Sequence, residues 1–246
     1  MFYDVIYMNS ITFTENFDTS RITSMDKMFY YCIELTSLNL SIWNTQNLRS
    51  LNYFSFYGSF LTSVDLSNWN TTNVKSFNYM FEYCWSLTSL NLSNFNTENA
   101  QSMSYMFHGC VLFKSLNLSN FNAKNVIYMD HMFDRCESLT SLDISNFNTT
   151  KVENMTSMFR STPVLKYLNI SSFTNQNLKN ATGMFDFCRD LKILDMSSFN
   201  DFNDGGQNIF QDITSTSGTI YVNNNFKNYA EKNLPQGWEI KIVDSK

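Results

Sequence analysis

The stretch NLSNFNTENAQSMSYMFHGC, residues 91–110, ends on a cysteine that fixes the reading of the whole chain. Stepping by 26 from Cys110 reaches Cys84, Gly58 and Cys32 in one direction and Cys136, Thr162 and Cys188 in the other, so all five cysteines share one column. The same step links Trp43, Trp69, Phe95, Phe121, Phe147, Phe173 and Phe199, and it links Leu40, Leu66, Leu92, Leu118, Ile144, Ile170 and Met196. No insertion breaks this register from residue 22 to residue 199. A fixed period of this size marks a solenoid, whose coils bury their apolar faces only against one another.

Each coil follows LTSLNLSNFNTxNVxSMxYMFxxCxS, and its halves differ in period. Leu87, Leu90 and Leu92 frame a short alternating stretch, which predicts a strand with Leu90 and Leu92 facing inward. Val74, Phe77, Phe81 and Cys84 are separated by three, four and three positions, a helical spacing, and Thr71, Thr72 or Asn73 is placed to cap its start. The predicted fold is an α/β solenoid of the leucine-rich-repeat type, with one short parallel strand plus a short helix or helical turn per 26-residue coil. With only seven glycines and two prolines, the turns fall to Asn94, Asn96 and Asn99, since asparagine tolerates left-handed backbone and bonds its own main chain.

The whole reads as one continuous domain in three parts. Residues 1–34 form an incomplete N-terminal coil or cap, with Thr12 and Thr14 where later coils carry Leu38 and Leu40. Residues 1–8 are either a makeshift cap or the cut edge of a longer protein. Residues 35–216 hold seven tandem repeats, although Asp204, Gln207 and Gln211 spoil the helical half of the last. Residues 217–246 form a capping strand-helix-strand: Ile220 and Val222 keep the leucine columns, Phe226, Tyr229, Ala230 and Leu234 line a helix stopped by Pro235, and Trp238, Ile240 and Ile242 alternate as a strand.

The strand half, as in LTSLNLSNFN at residues 87–96, and the MFxxCxxL segment, as in Met132, Phe133, Cys136 and Leu139, together resemble the BspA-like leucine-rich repeat surface proteins. The likeness is to their 26-residue variety, known from mycoplasmas, gut and oral bacteria and some protists, and covers residues 22 to about 243. It implies a leucine-rich-repeat-like solenoid displayed on a cell surface, associated with adhesion, and without enzymatic activity. The sequence departs from the family in showing no secretion signal, lipobox or wall anchor.

Composition narrows the chemistry. A net charge of -5 with 16% charged residues leaves no electrostatic footprint for nucleic acid. No apolar run approaches the roughly 20 residues that span a bilayer, and the opening MFYDVIYMNS has an acid at Asp4 and no basic segment, so neither a signal peptide nor membrane insertion is expected. The cysteines read as small buried fillers, since parallel inward side chains are poorly directed for disulfides and their 26-residue spacing is not that of a zinc site. His108 and His131 replace Tyr, Glu, Asp or Ser of other coils, which marks them as surface residues without a nucleophile or orienting partner. Asp65, Asp143 and Asp195 share a column but are never adjacent in the stack, so no carboxylate pair or cation cage follows. No catalytic, cofactor-binding or metal-ligating residue emerges, and the chain is not expected to be an enzyme.

What remains is surface. The strand's outward positions offer hydroxyls, amides and charges, and the candidate ligand face there comprises Asn91, Lys114, Asn117, Thr140, Asp143 and Lys166. The pair between MF and Cys varies from coil to coil, as does the pair after Cys, and reads as a solvated rim to which Tyr83, Trp85 and His108 belong. The expected function is a non-enzymatic adhesion or recognition module, at the cell surface or secreted, that binds host or cell-surface protein or glycan. It would act as a monomer or as part of a longer chain. The alternative is a cytoplasmic protein-interaction scaffold, which the missing export signal supports.

Overall fold

A computed structural model describes residues 2–54, 60–202 and 208–243; Gly58, Asp204 and Gln207 of the repeat lie outside them. The chain winds as a parallel β-solenoid of about seven turns with very little helix. On one side of the coils lie the short strands β1 (Ser37–Asn39), β2 (Ser63–Asp65), β3 (Ser115–Asn117), β4 (Ser141–Asp143), β5 (Tyr167–Asn169) and β6 (Ile193–Asp195). β7 (Gly218–Val222), α1 (Lys227–Asn233) and β8 (Trp238–Ile242) complete the chain. All pairings are parallel, in three sheets ordered β1-β2, β3-β4 and β5-β6-β7-β8. Register is 26 from Ser37 opposite Ser63 through to Ile193 opposite Thr219. The central residue of most strands and the residue after the strand, such as Leu116 and Leu118, are buried, while the flanking positions face out.

The helical half is where the structure departs from the sequence reading. The N–H groups of Phe77, Tyr79, Phe81 and Tyr83 donate to the carbonyls of Ser102, Ser104, Met106 and His108 in the next coil, at 2.7–3.0 Å. The intervening Met80, Glu82 and Cys84 donate three residues back, to Phe77, Tyr79 and Phe81. Half of the donors a helix would need are thus committed between coils, and the segment is a run of tight turns instead. Each four-residue turn closed by Phe77–Met80 or Phe81–Cys84 carries its third residue in the left-handed region, Tyr79 at φ 58° and Tyr83 at φ 55°, the requirement of a type II turn. Such turns bring every third or fourth side chain inward, which reproduces the spacing of a helix without its hydrogen bonds.

Two further expectations change with it. Among the described residues, the left-handed positions include Lys27, Tyr53, Tyr79, Tyr105 and His131 in one column and Tyr31, Tyr83, Gly109 and Arg135 in another, and none is an asparagine. Asn96 instead accepts the Glu98 N–H at 2.9 Å, and Asn99 donates to the Thr72 carbonyl at 2.8 Å. Thr71 caps no helix: its hydroxyl accepts the Asn96 N–H at 2.8 Å and donates to the Asn96 carbonyl at 3.0 Å. The same clamp joins Thr45 to Asn70, Thr97 to Asn122 and Thr149 to Thr174, whereas the column member between Thr97 and Thr149 is Ala123.

Between the two sides runs one continuous core. Phe81, Phe107, Phe133, Phe159 and Phe185 stack with centroids 5.7–5.9 Å apart and nearly parallel planes. The five cysteines are buried and unbridged. Their thiols act as donors, Cys110 to the Phe81 carbonyl at 3.0 Å and Cys188 to that of Phe159 at 3.1 Å, and burial pushes the Cys188 thiol up to about 12. At the N-terminal end, Phe2 and Asp4 donate to the carbonyls of Met28 and Tyr30 and Phe2 stacks on Phe29, so these residues trace part of a further turn-side coil.

Candidate functional site

The strand side carries seven sequence-related Asn or Asp side chains with a prior structural duty. Asn117 Oδ1 accepts the Ser119 N–H and hydroxyl at 3.1 and 2.8 Å, and Asp143 Oδ1 accepts those of Ser145 at 3.1 and 2.7 Å. These bonds turn the chain at the strand's end, and the Ser145 hydroxyl and N–H hold the Asp143 carboxyl below the usual carboxylate range. Both residues are exposed, and these bonds use neither the second carboxylate oxygen of Asp143 nor the amide N–H groups of Asn117.

A shallow depression of about 420 Å³ opens over β3 and β4, lined among others by Asn117, Thr140, Asp143 and Tyr167. Three of the residues singled out from sequence therefore meet in one place. Lys114, Thr140 and Lys166 occupy one column in successive coils and are all exposed, so the two lysines sit one coil to either side of Thr140. Asn91 is exposed one coil earlier, in a coil without an assigned strand. Tyr167, 52% exposed, was not singled out. Its signal was a tyrosine that ends a run of serines in the column, Ser37, Ser63, Ser89, Ser115 and Ser141, before Ile193.

The rim is assembled differently from its sequence reading. Tyr83 packs edge-on to Trp85 at 5.9 Å and against His108 at 4.6 Å, and Trp85 is exposed. The Tyr83 ring lies over Gly109, where an added Cβ would come within 2.2 Å of it. His108, however, is 7% exposed and no surface residue. In the described pairs between MF and Cys, the first member is buried in Glu82, His108 and Asp134 and half-buried in Tyr30, Arg160 and Asp186, and the second takes the left-handed turn. Read by the 26-residue step, the inward column is Glu82, His108, Asp134, Arg160 and Asp186, a row of alternating acids and bases.

Their geometry matches that alternation. His108 Nδ1 lies 3.3 Å from Glu82 and its Nε2 lies 3.6 Å from Asp134. Asp134 also meets His131 Nδ1 at 2.9 Å and Arg160 Nε at 3.5 Å, the latter without hydrogen-bond geometry. Asp186 is pushed up to about 6, first by burial and then by Asp212, against the pull of Arg160. His108 links Glu82 to Asp134 across successive coils and Asp134 also meets His131, while Asp134 Oδ1, Arg160 Nε and Asp186 Oδ1 are buried without a hydrogen-bond partner, so the row reads as a coil-to-coil contact that is only partly satisfied. Among the described residues, no group of three or more His, Cys, Asp or Glu is arranged to hold a metal ion, and no helix is long and apolar enough to cross a membrane.

A protein family described as "Mycoplasma protein of unknown function, DUF285" matches the chain twice, over residues 1–115 and over residues 84–199. The chain belongs to this family. The second match to DUF285 begins inside the first, at Cys84, as a tandem repeat allows. A comparison with curated proteins finds no match. Membership of DUF285 agrees with a repeat solenoid and is consistent with the BspA-like resemblance.

Proposed function

We propose that this chain is a BspA-like leucine-rich repeat protein acting as a non-catalytic recognition module at a cell surface, and that it binds a protein or glycan on the strand side. The observation that carries this reading is the depression over β3 and β4, where Asn117, Thr140 and Asp143 present polar atoms beside the exposed ring of Tyr167. An aromatic anchor set among adaptable polar groups is the usual composition of a binding patch.

The test is a screen of the purified chain against host glycoproteins and glycan arrays, repeated with Tyr167→Ala and with Asn117→Ala/Asp143→Ala. A ligand lost by both variants, with unfolding unchanged, supports the reading; a ligand retained by both overturns it. Location is tested separately with protease on intact cells, where cleavage from outside supports surface display and protection until lysis favours a cytoplasmic scaffold.

A further inference from the structure

A second groove, of about 450 Å³, lies on the turn side of the coils, away from the strand-side depression. One wall is the column Arg49, Lys75, Gln101 and Ile127, held in a row by backbone bonds from Lys75 N–H to Arg49, Gln101 to Lys75 and Ile127 to Gln101, at 2.8–3.0 Å. The other is the column Asn73, Asn99, Asn125 and Lys151. Arg49 and Lys75 are exposed and have no acid partner among the described residues. The acids in the adjoining rows are already taken, Glu98 by Lys124 and Glu153 by Lys179. The groove is therefore cationic in a chain whose net charge is -5.

Its amides add a second kind of contact. Asn73 and Asn99 use their N–H groups on the carbonyls of Gln46 and Thr72, at 2.9 and 2.8 Å, which leaves each side-chain oxygen to accept a hydroxyl. Lys151 is steadied by the Asn125 oxygen at 2.8 Å. The cations are spread along the axis: Arg49 and Lys75 are one coil apart, and Lys151 lies three coils beyond Lys75, or roughly 14 Å at ~4.8 Å per coil. A single phosphate cannot reach both ends. Single-stranded nucleic acid is disfavoured because no aromatic ring lines the groove to stack a base.

From these features we infer that the groove binds a linear anionic glycan, its sulfate or carboxylate groups on Arg49, Lys75 and Lys151 and its hydroxyls on the asparagine oxygens. This inference does not depend on the strand-side reading. The probes are heparin, desulfated heparin, hyaluronate and polyglutamate, measured by biolayer interferometry on the purified chain at low and physiological salt. Heparin or hyaluronate is expected to bind and to weaken as salt is added. Arg49→Ala/Lys75→Ala is expected to lower affinity about tenfold, while Lys227→Ala, in α1 and outside the groove, leaves it unchanged. Preference for heparin over its desulfated form identifies sulfate as the recognised group, and equal binding of hyaluronate identifies carboxylate. Equal binding of polyglutamate, no binding of any glycan at low salt, or indifference to the double variant with its thermal unfolding intact would each overturn the inference.

Discussion

On the strand side of the coils, pairing spans three residues at a time and is interrupted between β2 and β3 and between β4 and β5. On the turn side, isolated bridges run unbroken from Ser24 through Ser50, Ser76, Ser102, Tyr128 and Asn154 to Asn180. To these the turn side adds the threonine clamps, the row of alternating charges and the left-handed turns. The stack is thus held more continuously where the sequence looks most variable, while the outward strand positions contribute the turn bonds of the Asn and Asp column and coil-to-coil bonds such as Thr140 to the Lys114 carbonyl. That division leaves outward positions such as Ser141 freer to change than the turn side.

The comparison is broken most severely by cutting the phenylalanine stack. Phe107→Ala, with Phe81 and Phe133 on either side, is expected to cost about 4 kcal/mol in urea unfolding. Asp134→Ala strips a partner from His108, His131 and Arg160 together and is expected to cost about 3 kcal/mol, whereas a mere solvated side chain would cost almost nothing. The clamps give a test in both directions. Thr71→Ala removes a buried two-bond contact and is expected to cost ~1–2 kcal/mol, while Ala123→Thr restores the missing clamp to the coil of Asn148 and is expected to raise the unfolding midpoint.

Asp186 supplies a pH test of the same side. Its folded carboxyl, at about 6 against an ordinary 3.8, holds its proton more tightly than the unfolded chain does. Its contribution to stability is therefore greatest below pH 3.8 and is lost as pH rises through about 6. Asp186→Asn is expected to stabilise the chain by ~1 kcal/mol near neutrality, discounted for its partial exposure, with the gain vanishing toward acid pH in a series of thermal melts. The smallest effect belongs to the strand side, where Ser141→Ala is expected to stay within about 0.5 kcal/mol; a larger loss would show that the strands share the load.

Much of this was legible in the sequence, for reasons that also explain what was not. Leucine, phenylalanine and cysteine columns report burial, and burial at a constant step admits a solenoid and little else. Side-chain spacing does not report where N–H groups go, so Val74, Phe77, Phe81 and Cys84 could not distinguish a helix from a chain of turns. A clue lay in SFNYMFEYC, residues 76–84, which is poor in strong helix formers. Asn117 and Asp143 were read as outward-facing because they alternate with Leu116 and Leu142 in a strand, where alternation is reliable, whereas Thr140 lies just before β4. His108 was misplaced because variability was taken for exposure, when in a stack it also arises from charges chosen to match the coil above and below.

That matching constrains how such a gene can change. With one register of 26 from β1 to β7, recombination between copies can drop a unit and rejoin equivalent slots. Dropping only the unit that carries His108 would set Glu82 against Asp134, acid on acid. Dropping the next unit as well sets Glu82 against Arg160 and restores the alternation. In this part of the molecule, length is expected to drift in steps of two.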